Sequence, residues 1–126
     1  MQIIIRGRIP SKKNSVVIFV RNGKLFKMPS NKYREWHKDA SLQLVGQKPI
    51  PLAMTGLPFV KVNCIELRIF APDRRASDLT NKAESVMDLL VDNKILADDN
   101  WFVVPIVLLT FGGVDKADPR VEITIK

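Results

Sequence analysis

The chain has one cysteine, one histidine and no long apolar run. With Cys64 alone, a disulfide framework and a cysteine-based zinc site are excluded within one chain. A single thiol also fits a reducing compartment. His37 lies near the apolar stripe of an expected helix, which favours a packed residue over a general base. No hydrophobic segment approaches the ~20 residues needed to cross a bilayer. Met1-Gln2-Ile3-Ile4-Ile5-Arg6 lacks the apolar core and small-residue cleavage site of a signal peptide, so the expected location is the cytoplasm.

Acidic residues are scarce in the first part of the chain. Residues 1–50 carry 11 Lys+Arg against 2 Asp+Glu (11 − 2 = +9), and residues 51–126 carry 9 against 11 (9 − 11 = −2), which sums to the net charge of +7. This segregation points to a polyanionic partner, nucleic acid above all, on the basic part. The 126 residues suit one domain spanning 1–126, long enough to bury a core without disulfides or metal. Neither a repeat nor a long linker divides it.

The pattern predicts a mixed α/β (α+β) fold: a mixed β-sheet, an N-terminal hairpin and two main helices. Gln2 to Ile9 reads as a strand. Val16–Val20 and Leu25–Met28 flank Arg21-Asn22-Gly23-Lys24, and Asn-Gly between apolar runs is a strong hairpin signal. Ser30 or Asn31 can cap a helix to about Val45, with Tyr33, Trp36, His37, Ala40 and Leu44 on its buried face. Gln47 to Pro58 is rich in proline and reads as a loop. Phe59 to Ala71 reads as one long strand whose apolar phase switches after Cys64, suggesting a bulge or burial on both faces. A second helix starts near Asp78 with Leu79, Ala83, Val86 and Leu90 as its stripe. Trp101 to Phe111 reads as an edge or bulged strand because Pro105 interrupts it. Gly112 to Pro119 reads as a loop, and Arg120 to Ile125 as the last strand.

The chemistry concentrates in Pro72-Asp73-Arg74-Arg75-Ala76-Ser77-Asp78-Leu79-Thr80-Asn81 and in Asp98-Asp99-Asn100. One carboxylate stands at a helix start and two stand beyond its end. Magnesium takes hard oxygen ligands, few of them from protein, and keeps several waters. Asp78, Asp98 and Asp99 supply such atoms. The same residues also suit capping and turns, Asp78 as an N-cap and Asp98-Asp99-Asn100 as turn chemistry.

Most of the chain resembles the RusA Holliday junction resolvases, a family widespread in bacteria and their phages. The resemblance runs through Pro10-Ser11-Lys12-Lys13-Asn14, Tyr33-Arg34, Pro72-Asp73-Arg74-Arg75, Asp78-Leu79-Thr80-Asn81 and Asp98-Asp99. It implies a RusA-like mixed α/β homodimer that makes paired, magnesium-dependent incisions in four-way DNA junctions, with manganese as a substitute metal. The family's metal-binding carboxylates map onto Asp78 and Asp99, with Asp98 as neighbour. Two positions depart from the pattern. Thr80 stands where the family has the second aspartate of Asp-Leu-Asp-Asn, and Glu84 stands where it has the catalytic lysine. Thr80 and Glu84 are four apart and face the same way on a helix. One reading is an exchange, in which a carboxylate lost at 80 is regained at 84; the other is that Glu84 is an exposed helix residue near Asp88. Lys82, two residues from each, points elsewhere and is a poor stand-in for the missing lysine.

The expected function is a structure-selective endodeoxyribonuclease for recombination and repair. Asp78, Asp99 and Glu84 are its catalytic residues, and Asp78, Asp98, Asp99 and Glu84 its metal ligands. Lys12, Lys13, Asn14, Arg21, Lys24, Arg74, Arg75 and Lys82 are its DNA contacts. The alternative is a non-catalytic protein that binds branched DNA through a degenerate site. An RNA-binding module is disfavoured, because neither an aromatic RNP strand nor a KH loop is visible.

Overall fold

The computed structural model describes residues 1–11, 16–47 and 57–126. In chain order these hold β1 (Gln2–Arg6), β2 (Val16–Arg21), β3 (Lys24–Pro29), α1 (Asn31–Gln47), β4 (Ile65–Ala71), α2 (Leu79–Asp92), β5 (Val107–Val114) and β6 (Arg120–Ile125). Four strands form a mixed sheet in the order β1-β6-β4-β5. β6 pairs antiparallel with β1 and with β4, whereas β4 and β5 are parallel. A parallel pair needs a crossover connection, and α2 provides it. The described residues thus form a mixed α/β fold with two helices, as the sequence pattern predicts. No described helix is long and apolar enough to cross a membrane.

Alternation decides which face of the sheet is covered. Ile3 and Ile5, Ile65, Leu67 and Ile69, and Val121, Ile123 and Ile125 are buried in one core with Tyr33, Trp36, Ala40 and Leu44 of α1 and Ala83, Val86, Leu89 and Leu90 of α2. The opposite side of the same strands carries Gln2, Glu66, Arg68, Glu122 and Thr124, none of them buried. One apolar and one polar face is the pattern of a two-layer fold.

The two edges of the sheet are treated differently. At β1, the side-chain amides of Gln43 and Gln47 act as a substitute strand. Ile4 N–H donates to Gln47 Oε1 (2.8 Å) and Arg6 N–H to Gln43 Oε1 (2.7 Å), while the two Nε2 groups donate to Arg6 O (3.0 Å) and Ile4 O (2.6 Å). This explains why α1 runs on to Gln47: its last turns satisfy an edge that would otherwise expose unpaired backbone. Ser30 caps the other end, its Oγ accepting from Tyr33 N–H (3.2 Å). At β5 the outer edge pairs with no described strand.

Four expectations need correction, the first being that β1 ends at Arg6 rather than at Ile9. The strand expected from Phe59 begins only at Ile65. Residues before it are held by non-ladder bonds, Phe59 N–H to Ile95 O (2.9 Å) and Val62 N–H to Val103 O (2.9 Å), which accounts for the phase change after Cys64. The stretch from Trp101 makes a turn first, and the strand starts at Val107, beyond Pro105, and runs through the expected loop to Val114. The edge position expected from Pro105 is observed. The irregularity lies between Ile69 and Phe70 of β4, where the register against β5 skips Gly112. A Cβ at Gly112 would come within 2.6 Å of the Phe70 ring. That ring cannot easily retreat, because the Arg120 guanidinium covers it at 3.8 Å. Gly112→Ala is therefore expected to cost about 1–3 kcal/mol by overpacking, measured as a lower denaturation midpoint with an unchanged m-value.

The hairpin turns at Asn22 (φ 53°) and Gly23 (φ 74°), both in the left-handed region that Asn-Gly tolerates. Phe19 and Phe26 stack across it at 5.5 Å. Its side chains are largely exposed, including Ile18, Val20 and Leu25.

Ion pairs on the surface set the acid limb of stability. Asp118 is held below its ordinary carboxylate range by the hydrogen bond from Arg6, and Asp73 by the hydrogen bonds from Arg75. A depressed carboxyl pKa stabilises the fold above the unfolded value, ~4, and that contribution fades as pH falls through the lowered folded value. The melting temperature should fall as pH is lowered from ~4. Asp118→Asn should flatten this limb in a pH series of thermal melts.

Candidate functional site

β4 delivers the chain to Pro72, and the next residues arrange two flanks of α2. Asp73 folds back on its own turn: Oδ1 accepts from Arg75 N–H (3.0 Å), and Oδ2 accepts from the Arg75 guanidinium (3.0 and 3.2 Å), with Arg8 also at 3.5 Å. Asp78 occupies the N-cap position in extended conformation (φ −81°, ψ 123°), but its carboxylate caps no helix N–H. It accepts from Asn81 Nδ2 instead (3.3 Å).

One flank of α2 carries Thr80, Glu84 and Asp88, spaced four apart as a single helical stripe. Asp99 meets this stripe from the loop beyond the helix. Leu90 O ties that loop down by accepting from Ile95 N–H (2.9 Å) and Leu96 N–H (3.3 Å), and both of those side chains are fully buried. The following residues then sort themselves. Asp98 is spent on the loop, accepting Asp99 N–H (2.7 Å) and Asn100 Nδ2 (3.0 Å). Asn100 Oδ1 accepts from Phe102 and Val103 N–H (3.0 and 3.1 Å). Asp99 is left facing a cavity of about 490 Å³ lined by Thr80, Ala83, Glu84, Met87, Asp88, Val107 and Leu109.

The electrostatics follow from this division. The backbone N–H of Asp99 holds the Asp98 carboxyl below its ordinary pKa. Asp99 shifts the other way: partial burial raises its pKa, reinforced by the hydrogen bond with Asp98 and by the negative charges of Asp88 and Asp98. The negative charges of Asp88 and Asp98 that raise the proton affinity of Asp99 would also favour a dication beside it.

The four expected ligands do not assemble as one group. Among the described residues no set of three or more His, Cys, Asp or Glu side chains is arranged to hold a metal ion. Asp78 does not line the carboxylate cavity, because its side chain turns to Asn81, and Asp98 is committed to its loop. Glu84 and Asp99 do share it, with Asp88 added. Asp88 was not among the expected site residues, although its four-residue spacing from Glu84 was the signal that could have found it. Magnesium takes only one or two protein carboxylates and keeps several waters, so Glu84 and Asp99 are the residues that would hold one here.

The opposite flank of α2 is basic. Lys82 lines a second cavity of about 540 Å³ with Arg74 and Arg75, away from Thr80 and Glu84 as their spacing requires. Its Nζ donates to Ile9 O (2.5 Å), and Ser85 Oγ donates to Pro10 O (2.7 Å). These two bonds pin the segment leading toward Lys12, Lys13 and Asn14, which lie outside the described residues. Burial lowers the Lys82 pKa, as do the neighbouring cations Arg8, Lys32 and Arg75. Arg21 and Lys24 are paired positions flanking the hairpin turn and are exposed. His37 lies half-buried, its Nε2 2.9 Å from Asp92 Oδ2, and lines neither cavity. No protein-family model matches the chain, and no curated protein matches it.

Proposed function

We propose that this chain is a magnesium-dependent, structure-selective endodeoxyribonuclease that resolves four-way DNA junctions as a homodimer in the bacterial cytoplasm. The observation that carries this reading is the meeting of Glu84 and Asp99 in one cavity with Thr80 on the same stripe. That is the arrangement expected if the resolvase pattern has moved a carboxylate from position 80 to 84. The uneven charge supports a polyanionic substrate: net +9 over residues 1–50 (11 − 2) and −2 over residues 51–126 (9 − 11).

Glu84 and Asp99, aided by Asp88, would hold the metal. The ion would supply charge neutralisation at the phosphodiester and an activated water. Arg74 and Arg75 hold the phosphates of the strand to be cut. Lys12, Lys13, Asn14, Arg21 and Lys24 contact the arms of the junction, positioning it without reading sequence. A two-fold dimer provides two equivalent sites and hence paired cuts.

A second reading is a branched-DNA-binding protein without catalysis. Glu84 at the family's lysine position and the lack of a closed three-ligand group among the described residues favour it. A synthetic four-way junction incubated with magnesium or manganese separates the two. Symmetric nicks support the nuclease. Binding with no nicking under any metal or pH leaves the binding protein. Failure to bind the junction sinks both.

A further inference from the structure

The basic cavity has a composition that phosphate contacts alone do not require. It lies at the carboxyl ends of the parallel strands β4 and β5, bridged by α2. Crevices at the carboxyl ends of parallel strands are recurrent ligand sites in α/β sheets. Its volume of about 540 Å³ falls in the range of small-ligand pockets. Ile69, Ala71, Leu79, Phe111 and Val114 make its walls apolar, and Arg74, Arg75 and Lys82 are its cations.

We propose that this cavity takes a single nucleotide that has left its base stack, with the base against Phe111 and Leu79 and the phosphate on Arg74, Arg75 and Lys82. The proposal rests on the DNA-processing reading above for the source of that nucleotide. The ligand must be amphipathic: an inorganic anion has no use for the apolar walls, and a neutral hydrocarbon has none for the cations. Phe111 is 54% exposed on an edge strand and lines the cavity, so it is accessible to a base. Each base stacked on an aromatic side chain is typically favourable and tolerant of sequence.

The charge balance also favours a phosphate. Among the described residues Asp73 is the only carboxylate lining the cavity, and it is engaged by Arg75 and Arg8. Arg74 has no ion-pair partner among the described residues, and Lys82 donates to the neutral Ile9 carbonyl. Positive charge therefore remains in excess at the mouth. The cavity and the Glu84–Asp99 site lie on opposite flanks of one helix, whose width is ~10 Å. A nucleotide seated here would lie close along the strand to the bond being cut. Junction centres are where bases lose their stacking partners, so the pocket would favour branched over continuous duplex.

The test is equilibrium binding without added metal, by fluorescence anisotropy, using a duplex with one unpaired nucleotide and the same duplex fully paired. Free deoxynucleoside monophosphate serves as competitor. The wild type should prefer the unpaired duplex about 10-fold. Phe111→Ala should remove that preference and leave paired-duplex affinity unchanged. Lys82→Gln should weaken both. Val114→Gln, which places a neutral polar side chain on the apolar wall of the same exposed strand, should repeat the Phe111→Ala result if that variant folds poorly. Monophosphate that displaces the unpaired duplex supports the pocket. Monophosphate that binds while the wild type shows no duplex preference indicates a free nucleotide as ligand and overturns the strand proposal. Equal wild-type affinity for both duplexes, or a preference that survives Phe111→Ala, overturns it while leaving the DNA reading intact. No binding to either duplex is the failure of that reading itself.

Discussion

Asp99→Asn is expected to reduce magnesium-dependent incision of a four-way junction at least ~100-fold, while junction affinity rises and the metal-free protein melts at a higher temperature. Three separate readouts follow from one geometry. Asp99 faces the cavity with Glu84 and Asp88, so under the proposed function its loss would remove a metal ligand. It would also remove negative charge beside the phosphate of the proposed substrate, which accounts for the tighter binding expected. The stability sign comes from its raised pKa. A carboxyl whose folded pKa exceeds its unfolded value favours folding below the unfolded pKa and loses that contribution as pH rises through the folded one. At neutral pH the ionised Asp99 therefore opposes folding, and the amide does not. For the same reason magnesium should raise the melting temperature of the wild type and raise that of Asp99→Asn less. Glu84→Gln should lower cleavage similarly. Asp78→Asn should be milder, because that carboxylate sits outside the cavity. Full activity in Asp99→Asn, measured with single-turnover kinetics, would remove it from the site.

Leu90→Ala should cost about 2–5 kcal/mol, the usual range for emptying a fully buried leucine position. Leu90 is fully buried in the core on α2. Its backbone carbonyl accepts the two bonds that fix the start of the Asp98–Asp99 loop. The variant should therefore lose cleavage even at temperatures where it is mostly folded, because the support of Asp99 loosens with the core. Chemical denaturation measures the stability loss, and cleavage assayed well below the melting point measures the rest. A destabilised variant with wild-type turnover would show that the loop is held independently of the helix.

Much of the fold was legible because it depends on local pattern. Alternation along Arg120–Ile125 and Ile65–Ala71, the Asn-Gly turn and the apolar stripe of Leu79–Asp92 each report burial that period alone reveals. The strand boundaries near Phe59 and Trp101 were not legible. Those segments are held by isolated backbone bonds to partners distant in sequence, such as Ile95, Ala97 and Lys126 for the first and Val62 for the second, which no local signal records. The clamp of Gln43 and Gln47 on β1 was invisible for the same reason: two glutamines at the end of a helix look like ordinary surface.

The sequence by itself determined the types of chemistry: a basic half, a cluster of carboxylates, Thr80 and Glu84 on one helical face, and Lys82 turned away from them. These are consequences of composition and of a 3.6-residue repeat, which need no tertiary information. Only the tertiary structure decided which carboxylates meet. Asp98 and Asp99 are neighbours of identical chemistry, yet the loop's hydrogen bonds consume Asp98 while Asp99 lines the cavity. Asp78 turns to Asn81, and Asp88 joins Glu84 and Asp99 in the cavity. Which side chain is spent on the scaffold and which is left for function depends on long-range packing that anchors the loop, and sequence spacing does not encode it.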